Sequence, residues 1–500
     1  MLKNAAKILA PSLRILIQFI LDTGTWPKLW GESLVVPIPK KETDKSNPLS
    51  YRPISLQPML LKCFEAVYLG RMDLFLKRTG FFASNQHGFS AGASTLTNLL
   101  PYWDKVTENI EKKSGMTVIC LDIHKGFDRL DIGIALRKIR GAGIRGRAGR
   151  FLQNWLLNRS QKVKLGEVVS SKIVPTSGSP QGDCLSPRIF NIYVNDIVKK
   201  FKDCSTWYAD DCKLYSNCNN LVHSIQLQRR LNMLSKWAER NKVKFSVNKC
   251  AVVKIGTEQI DFKYKLNKEI IPVKEEFVDL GVTINSDADF IDHVAGKVEK
   301  LSKLVHQFRK NFKIKTEYIM KTYYKSIFSP ILCYGANVWF QAKSRIFSLM
   351  QKSFENFWSL SSRDIPEDIL DPVQSIRYHD LCCVKRIYDG KTCLGFDDYY
   401  IKLGGNTRAH EQENLRKQRS ENQVRMDSFF VRTVEEWNAV PLGDKKCSTT
   451  LFKSFARSHI KHTRRQWRPA RDGTIGRVMF VNNAPPRRPI RSGASPDRSV

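Results

Sequence analysis

Apolar residues along the chain follow two kinds of spacing, short β-type runs and longer stretches of helical period. Leu9, Leu13, Leu16, Phe19 and Ile20 recur at helical spacing with Arg14 and Gln18 between them, which predicts a packed amphipathic helix rather than a signal peptide. Ser33 to Pro39 predicts a short strand that stops at Lys40 and Lys41, and helical periodicity runs from Met59 to Lys77. Met116 to Leu121 is an unbroken apolar, β-rich run closed by Asp122, the pattern of a central strand covered on both faces. Val163 to Val174 predicts a hairpin, and the Gly/Pro-punctuated turn Thr176 to Gly182 leads into a helix over Leu185 to Val198. Trp207 to Tyr215 has β-rich flanks around Asp210 and Asp211, as a tight hairpin with carboxylates at its tip would. A helix from Leu221 to Asn241 follows, then strands at Val243–Val247 and Ala251–Ile255 and another pair within Ile260 to Ile284. From Val294 past Phe340 the pattern is helical and basic.

Composition narrows what such a chain can be. With 500 residues and 42% hydrophobic content it has enough apolar surface for several cores, and the 82 Lys+Arg against 48 Asp+Glu leave a net charge of +34. A polyanionic partner is expected. The 12 cysteines are scattered without a disulfide pattern, which reads as reduced thiols in an intracellular protein. His379, Cys382, Cys383 and Cys393 lack the paired spacing of a zinc site. No run reaches the ~18 apolar residues of a membrane span, so the expectation is a soluble protein with no membrane partner.

The chemistry is concentrated in acids at strand ends. A sheet that sets the strand ending at Asp122 beside the Asp210-Asp211 hairpin brings three carboxylates together, and such a cluster calls for a divalent cation. Few, hard oxygen ligands suit Mg²⁺, and two ions ~3.5–4 Å apart would activate a 3′-hydroxyl and stabilise a leaving pyrophosphate. A solvated acidic turn is the plain alternative for the same string.

The motifs around these acids resemble a known family. Leu121-Asp122-Ile123-His124-Lys125-Gly126-Phe127-Asp128, Gly178-Ser179-Pro180-Gln181-Gly182-Asp183-Cys184-Leu185-Ser186-Pro187 and Tyr208-Ala209-Asp210-Asp211 are similar, in order and separation, to the first three palm motifs of reverse transcriptases. Arg52-Pro53-Ile54-Ser55-Leu56, Gln86-His87-Gly88-Phe89 with Ser94-Thr95, Asn248-Lys249 and Leu280-Gly281-Val282 resemble finger and later palm motifs of the non-LTR, LINE-type branch. Tyr334-Gly335-Ala336-Asn337-Val338-Trp339, and Phe429-Phe430-Val431-Arg432 with Glu436-Trp437-Asn438 and Leu442, resemble thumb-side and terminal segments of jockey-like elements. The resemblance covers roughly residues 12 to 460, and the Trp-Asn segment separates it from the maturases of group II introns.

What the resemblance implies is an α+β right-hand polymerase. Its fingers would span residues 1–105, a palm with an antiparallel sheet and finger insertions 106–296, a helical thumb 297–360, a C-terminal helical region 361–466 and a flexible basic tail 467–500. Carried over, Asp122 and Asp210 would bridge two Mg²⁺ ions, with Mn²⁺ as a substitute; Asp211 would complete the charge and the Ile123 carbonyl would help hold the nucleotide-side ion. Lys249 would protonate the leaving pyrophosphate. Lys40, Lys41 and Arg52 would hold triphosphate or template backbone, Phe127 would gate against a ribose 2′-OH, and Gln181 and Gly182 would lie by the incoming base and sugar. The implied enzyme is an RNA-directed DNA polymerase that extends nicked target DNA. Its partners would be an RNA template, a DNA primer, target DNA and dNTPs, and its compartment intracellular, the nucleus for function with the cytoplasm as the alternative.

Plain alternatives stand beside these roles: Phe127 as core, Gln181 as an ordinary turn residue, the basic residues as solvated surface. Tyr323, Tyr324, Tyr334 and Trp339, interleaved with Lys321 and Lys325, read either as a nucleic-acid surface or, at their helical spacing, as thumb core. Two departures from the family pattern matter. Gly126 stands where Ala is usual, and Asp183 stands where Ser is usual, placing an extra negative charge near the expected triphosphate site. No endonuclease-like block precedes residue 33 and no RNase H-like pattern follows residue 350, so neither activity is expected. The rival to the enzyme is a catalytically inactive nucleic-acid-binding retrotransposon relic.

Overall fold

The computed structural model describes residues 4–40, 44–256, 260–361, 364–403, 413–466 and 479–482. The chain divides into two compact units, Met1–Ala288 and Asp289–Val500. The first is α+β. Its strands are β1 (Glu32–Pro39), β2 (Tyr51–Leu56), β3 (Met116–Asp122), β4 (Ser160–Leu165), β5 (Val168–Val169), β6 (Ser205–Tyr208), β7 (Asp211–Ser216) and β8 (Ala251–Ile255), followed by the hairpins Lys265–Leu266 with Glu269–Ile270 and Glu276–Asp279 with Val282–Asn285. Its helices are α1 (Ala6–Thr23), α2 (Met59–Arg78), α3 (Thr95–Glu111), α4 (Ile132–Gly141), α5 (Gly146–Leu157), α6 (Ser186–Lys200) and α7 (Leu221–Arg240).

Four strands form an antiparallel sheet in the order β6-β7-β3-β8. β3 is central, and residues Met116 to Leu121 are all buried. Ile119 and Leu121 belong to the main core with Ile189 and Phe190 of α6, while Val118 and Cys120 lie with Tyr102 of α3 and with Phe277 and Ile284 of the last hairpin. Cover on both faces is why this strand carries no polar alternation.

A second sheet has the order β2-β1-β4-β5. β1 pairs antiparallel with β2 along its length from Leu34 to Pro39 but meets the parallel β4 only over Glu32–Val35. Pro37 and Pro39 therefore sit where one side of β1 has no strand, the position in which a residue without an N–H is tolerated.

Several expectations are corrected. Val243–Val247 is not a strand: Phe245 makes a single bridge to Ile123, and the chain then turns through a 3₁₀ segment at Val247–Lys249. α1 buries Ile20 fully and Leu9, Leu13 and Leu16 in part, but Phe19 faces solvent. The region Val163–Val174 supplies only part of a hairpin, because β4 starts at Ser160 to reach β1.

The second unit is mainly helical, beginning with Ile291–Asn311. Tyr324 and Trp339 are buried, with Tyr324 packed among Phe328, Phe354, Phe357 and Trp358, so both belong to core. Tyr323 donates to the Leu304 carbonyl, and Tyr334 alone of the four is exposed. Lys321 and Lys325 both pair with Asp368, at 2.6 and 2.7 Å. Arg432 joins the two terminal motifs: it bonds both carboxylate oxygens of Asp380 at 3.1 Å and donates to the Ala336 and Asn337 carbonyls. Within the stretch expected to be a tail, Met479–Asn482 pairs antiparallel with Thr463–Gln466, and the rest of residues 467–500 lies outside the described residues. Among the described residues no helix is long and apolar enough to cross a membrane.

Candidate active site

In the register of β3 and β7, Asp122 stands directly opposite Asp211. Cross-strand partners project from one face of a sheet with β-carbons ~5 Å apart, so the pairing sets two carboxylates side by side. Tyr208 pairs with Asp211 across the β6–β7 turn, leaving Ala209 and Asp210 as a two-residue loop. Ala209 has φ +58°, the left-handed region that suits the first position of such a turn and disfavours a residue with a β-carbon.

The acids feel one another. Burial raises the pKa of Asp210, with the Asp122 carboxylate adding to the rise and Lys249 and Arg52 opposing it. Burial likewise pushes Asp211 up to about 6, with further push from Asp210, Asp122 and Asp279 and opposition from Lys213. The Asp211 side chain is nonetheless open to the cavity, so its surroundings are a protein wall on one side and solvent on the other. Lys249 Nζ lies 3.5 Å from Asp122 Oδ2. The Ile123 N–H bonds the Asp210 carbonyl at 3.4 Å, and its own carbonyl takes no hydrogen bond among the described residues.

A cavity of about 1100 Å³ opens in front of these groups. Its lining includes Asp122, Ile123, Phe127, Asp210, Asp211 and Lys249 together with Lys40, Arg52, Gln181 and Gly182. Lys41, the remaining candidate, lies outside the described residues. Lys40 Nζ donates to the Leu49 carbonyl at 2.9 Å. Among the described residues no group of three His, Cys, Asp or Glu side chains stands close enough to form a ready-made metal cage.

A model of the family described as "Reverse transcriptase (RNA-dependent DNA polymerase)" matches residues 38–284, a segment that contains Asp122, Asp210 and Asp211 and all of the cavity lining except Val35 and Pro37. Residues 38–284 are a reverse transcriptase domain. Among similar proteins, the RNA-directed DNA polymerase from the mobile element jockey of Drosophila melanogaster is 26% identical over 393 residues, 72% of this chain and 42% of that protein. The probable RNA-directed DNA polymerase from transposon X-element of the same organism is 27% identical over 342 residues, 65% of this chain and 37% of that protein. The chain is thus similar to polymerases of mobile elements, and it spans about two fifths of the length of these curated relatives. Among solved structures, apo telomerase from Candida tropicalis aligns with TM-score 0.41 at 12% identity, over 72% of this chain and 65% of that one.

The reverse transcriptase domain accommodates its two departures from pattern. A β-carbon on Gly126 would lie 2.8 Å from Cε2 of Phe190, whose ring stacks on Phe127 with centroids 4.8 Å apart. The large Phe190 fills the space that an alanine methyl at 126 would need. Asp183 is buried; its Oδ1 accepts from the Ser186 N–H at 2.7 Å and its Oδ2 from the Ser186 hydroxyl at 3.0 Å, at the start of α6. Burial, with the nearby Glu65 carboxyl adding to it, raises its pKa to about 8. The carboxyl is engaged at the start of a helix, in surroundings that oppose its ionisation.

The turn Gly178–Gly182 is fastened from three sides. The half-buried Arg159 guanidinium donates to the Ser177 and Gly178 carbonyls, the Gln181 carbonyl accepts from Ser55 of β2 at 2.7 Å, and Gln181 Nε2 donates to Asp128 Oδ1 at 2.7 Å. Gly182, at φ +109°, passes so close to β2 that a β-carbon would lie 3.2 Å from the Ser55 carbonyl oxygen. Gln181 thus lines the cavity with its amide already held by Asp128. Sequence reasoning gave no role to Asp128, Arg159 or Gln86, because a tie to a group distant in sequence leaves no local pattern; Asp128 and Gln86 carried a signal only as members of the motifs Leu121–Asp128 and Gln86-His87-Gly88-Phe89.

Proposed function

We propose that the domain is an RNA-directed DNA polymerase that adds dNTPs to a primer 3′-OH, as in target-primed synthesis by a non-LTR retrotransposon. One observation carries this reading: three acids at the abutting ends of β3 and β7 share a nucleotide-sized cavity with Arg52, Lys40 and Lys249. Asp122, Asp210, Asp211 and the Ile123 carbonyl are an all-oxygen donor set, and Asp210 and Asp211, whose pKa values are raised by burial and by neighbouring carboxylates, fit a site that holds Mg²⁺, or Mn²⁺ in its place. Two ions bound there would supply Lewis-acid activation of the 3′-OH and neutralise the leaving pyrophosphate.

The chain's own residues do the rest. Arg52 offers a fork for phosphate oxygens, and Lys40 adds a positive charge on the same wall. Lys249, beside Asp122, keeps a proton within reach of the leaving group. Phe127, backed by Phe190, limits space at the sugar and so discriminates against a 2′-OH. Gln181, braced by Asp128, holds its turn beside the nucleotide. The partners on this reading are an RNA template, a DNA primer, target DNA and dNTPs, and the place of work is the nucleus.

The test is Mg²⁺-dependent extension of a DNA primer annealed to RNA, with the Asp210→Ala/Asp211→Ala variant beside the wild type. Extension is expected from the wild type only, with primer–template binding retained in both. Binding without extension in either protein would leave the inactive nucleic-acid binder as the correct reading.

A further inference from the structure

Ala209, the left-handed residue at the tip of the acidic hairpin, is buried with both its backbone polar groups inside the protein. A two-residue loop leaves such groups outside the strand ladder, and an unpartnered buried N–H or C=O is costly. Here one side chain meets both. Gln86 Oε1 accepts from the Ala209 N–H at 3.0 Å, and Gln86 Nε2 donates to the Ala209 carbonyl at 3.3 Å. The same Oε1 accepts from the Gly88 N–H at 2.9 Å, which fixes the rotamer of the amide.

The backbone around Gln86 is built to bring it there. His87 N–H donates to the Trp207 carbonyl and Trp207 N–H to the Asn85 carbonyl, both at 2.9 Å, so this segment runs as a one-bridge parallel partner of β6. A β-carbon on Gly88 would lie 2.2 Å from the Ala209 nitrogen, a backbone-on-backbone approach that only glycine allows. Asn191 Nδ2 of α6 holds the Gly88 carbonyl at 2.8 Å.

We propose that Gln86 is a positioning residue of the active site: by bonding both sides of Ala209 it holds the left-handed turn that sets Asp210 and Asp211 relative to Asp122. Its amide bonds backbone groups, not the three carboxylates, and so it acts through the backbone. The activity arm of its test rests on the polymerase reading; the metal-binding arm does not.

The experiment uses the full chain as wild type, Gln86→Met, Ala209→Gly and the double variant. Methionine matches glutamine in size and removes both hydrogen bonds, while glycine adopts positive φ without penalty. Gln86→Met is expected to lower kcat at least tenfold and to weaken Mn²⁺ binding, followed by electron paramagnetic resonance, at least threefold, with KM for dNTP and primer–template Kd within twofold. The loss should be smaller in the Ala209→Gly background, since the turn then needs less holding. Wild-type kcat and Mn²⁺ affinity in Gln86→Met would overturn the proposal, as would equal losses in both backgrounds. If the wild type does not extend a primer, the polymerase reading falls and the Mn²⁺ titration still decides the role of Gln86. Should Gln86→Met not fold, Gln86→Asn, which withdraws the amide by one methylene, is expected to show the same losses in milder form, and wild-type behaviour of that variant would also overturn the proposal.

Discussion

Asp183 opens α6 with one carboxyl oxygen on the Ser186 N–H and the other on its hydroxyl, and the nearest acid, Glu65, is itself buried between Trp155 Nε1 at 2.9 Å and the Cys184 N–H at 3.2 Å. Desolvation dominates the raised pKa of Asp183, and Glu65 adds to it. The folded protein therefore holds a proton on Asp183 up to about pH 8, whereas the unfolded chain releases it near the ordinary value of ~3.9. Between those values the folded state binds more protons than the unfolded one, so stability falls as pH rises through this window. Asp183→Asn keeps an acceptor for the Ser186 N–H and carries no proton to lose. Its melting temperature is expected to fall less than that of the wild type between pH 5 and pH 8.5, read by thermal denaturation in the same buffers. Equal slopes for the two proteins would mean that Asp183 is ionised in the fold and that its charge does reach the cavity.

At the scale of elements, the hairpin bearing Asp210 and Asp211 is anchored from below by a buried ion pair. Lys213 of β7 meets Asp279 at 2.5 Å and Asn98 Oδ1 of α3 at 2.7 Å, with both charged side chains 6% exposed. Removing one partner leaves the other charge uncompensated in the interior, a loss of roughly 3–5 kcal/mol. Asp279→Ala is expected to destabilise by that amount in urea titration, and Lys213→Met combined with Asp279→Leu to recover most of it. A small effect of the single variant would show water reaching Lys213. This pair also marks where sequence reasoning stops. β3 and the β6–β7 hairpin were legible because an unbroken apolar run and a β-flanked acidic turn are local patterns, and Asp122, Asp210 and Asp211 stood out as candidates because they sit at the ends of those elements. Lys213 reads as surface until Asp279, 66 residues later, folds beneath it. β4 could not be assigned to β1 from either strand alone, since the pairing closes over Ser160 and Glu32. Val243–Val247 has strand composition, yet the Ser246 N–H is taken by the Asp122 carbonyl and the chain turns at once toward Lys249.

For the whole molecule the deciding quantity is charge. Many acids are already spent on neighbours, such as Glu32 on Lys162 and Lys172, and Asp368 on Lys321 and Lys325, so pairing consumes cations and acids together and leaves the excess of +34 intact. Binding of a primer–template duplex should then be driven largely by release of counterions from phosphate. If ~6–10 phosphates are contacted, affinity falls about 10³–10⁵-fold between 50 and 200 mM salt, and a plot of log Kd against log salt is linear with a steep slope. Asp210→Ala/Asp211→Ala should shift that line little and leave its slope unchanged, because the acids act on a nucleotide at one point while the cations act along the duplex. Fluorescence anisotropy across a salt series checks both statements. A shallow slope would place the binding energy in base or apolar contacts rather than in the backbone, and a slope changed by the double substitution would mean that the carboxylates themselves count in how the duplex is held.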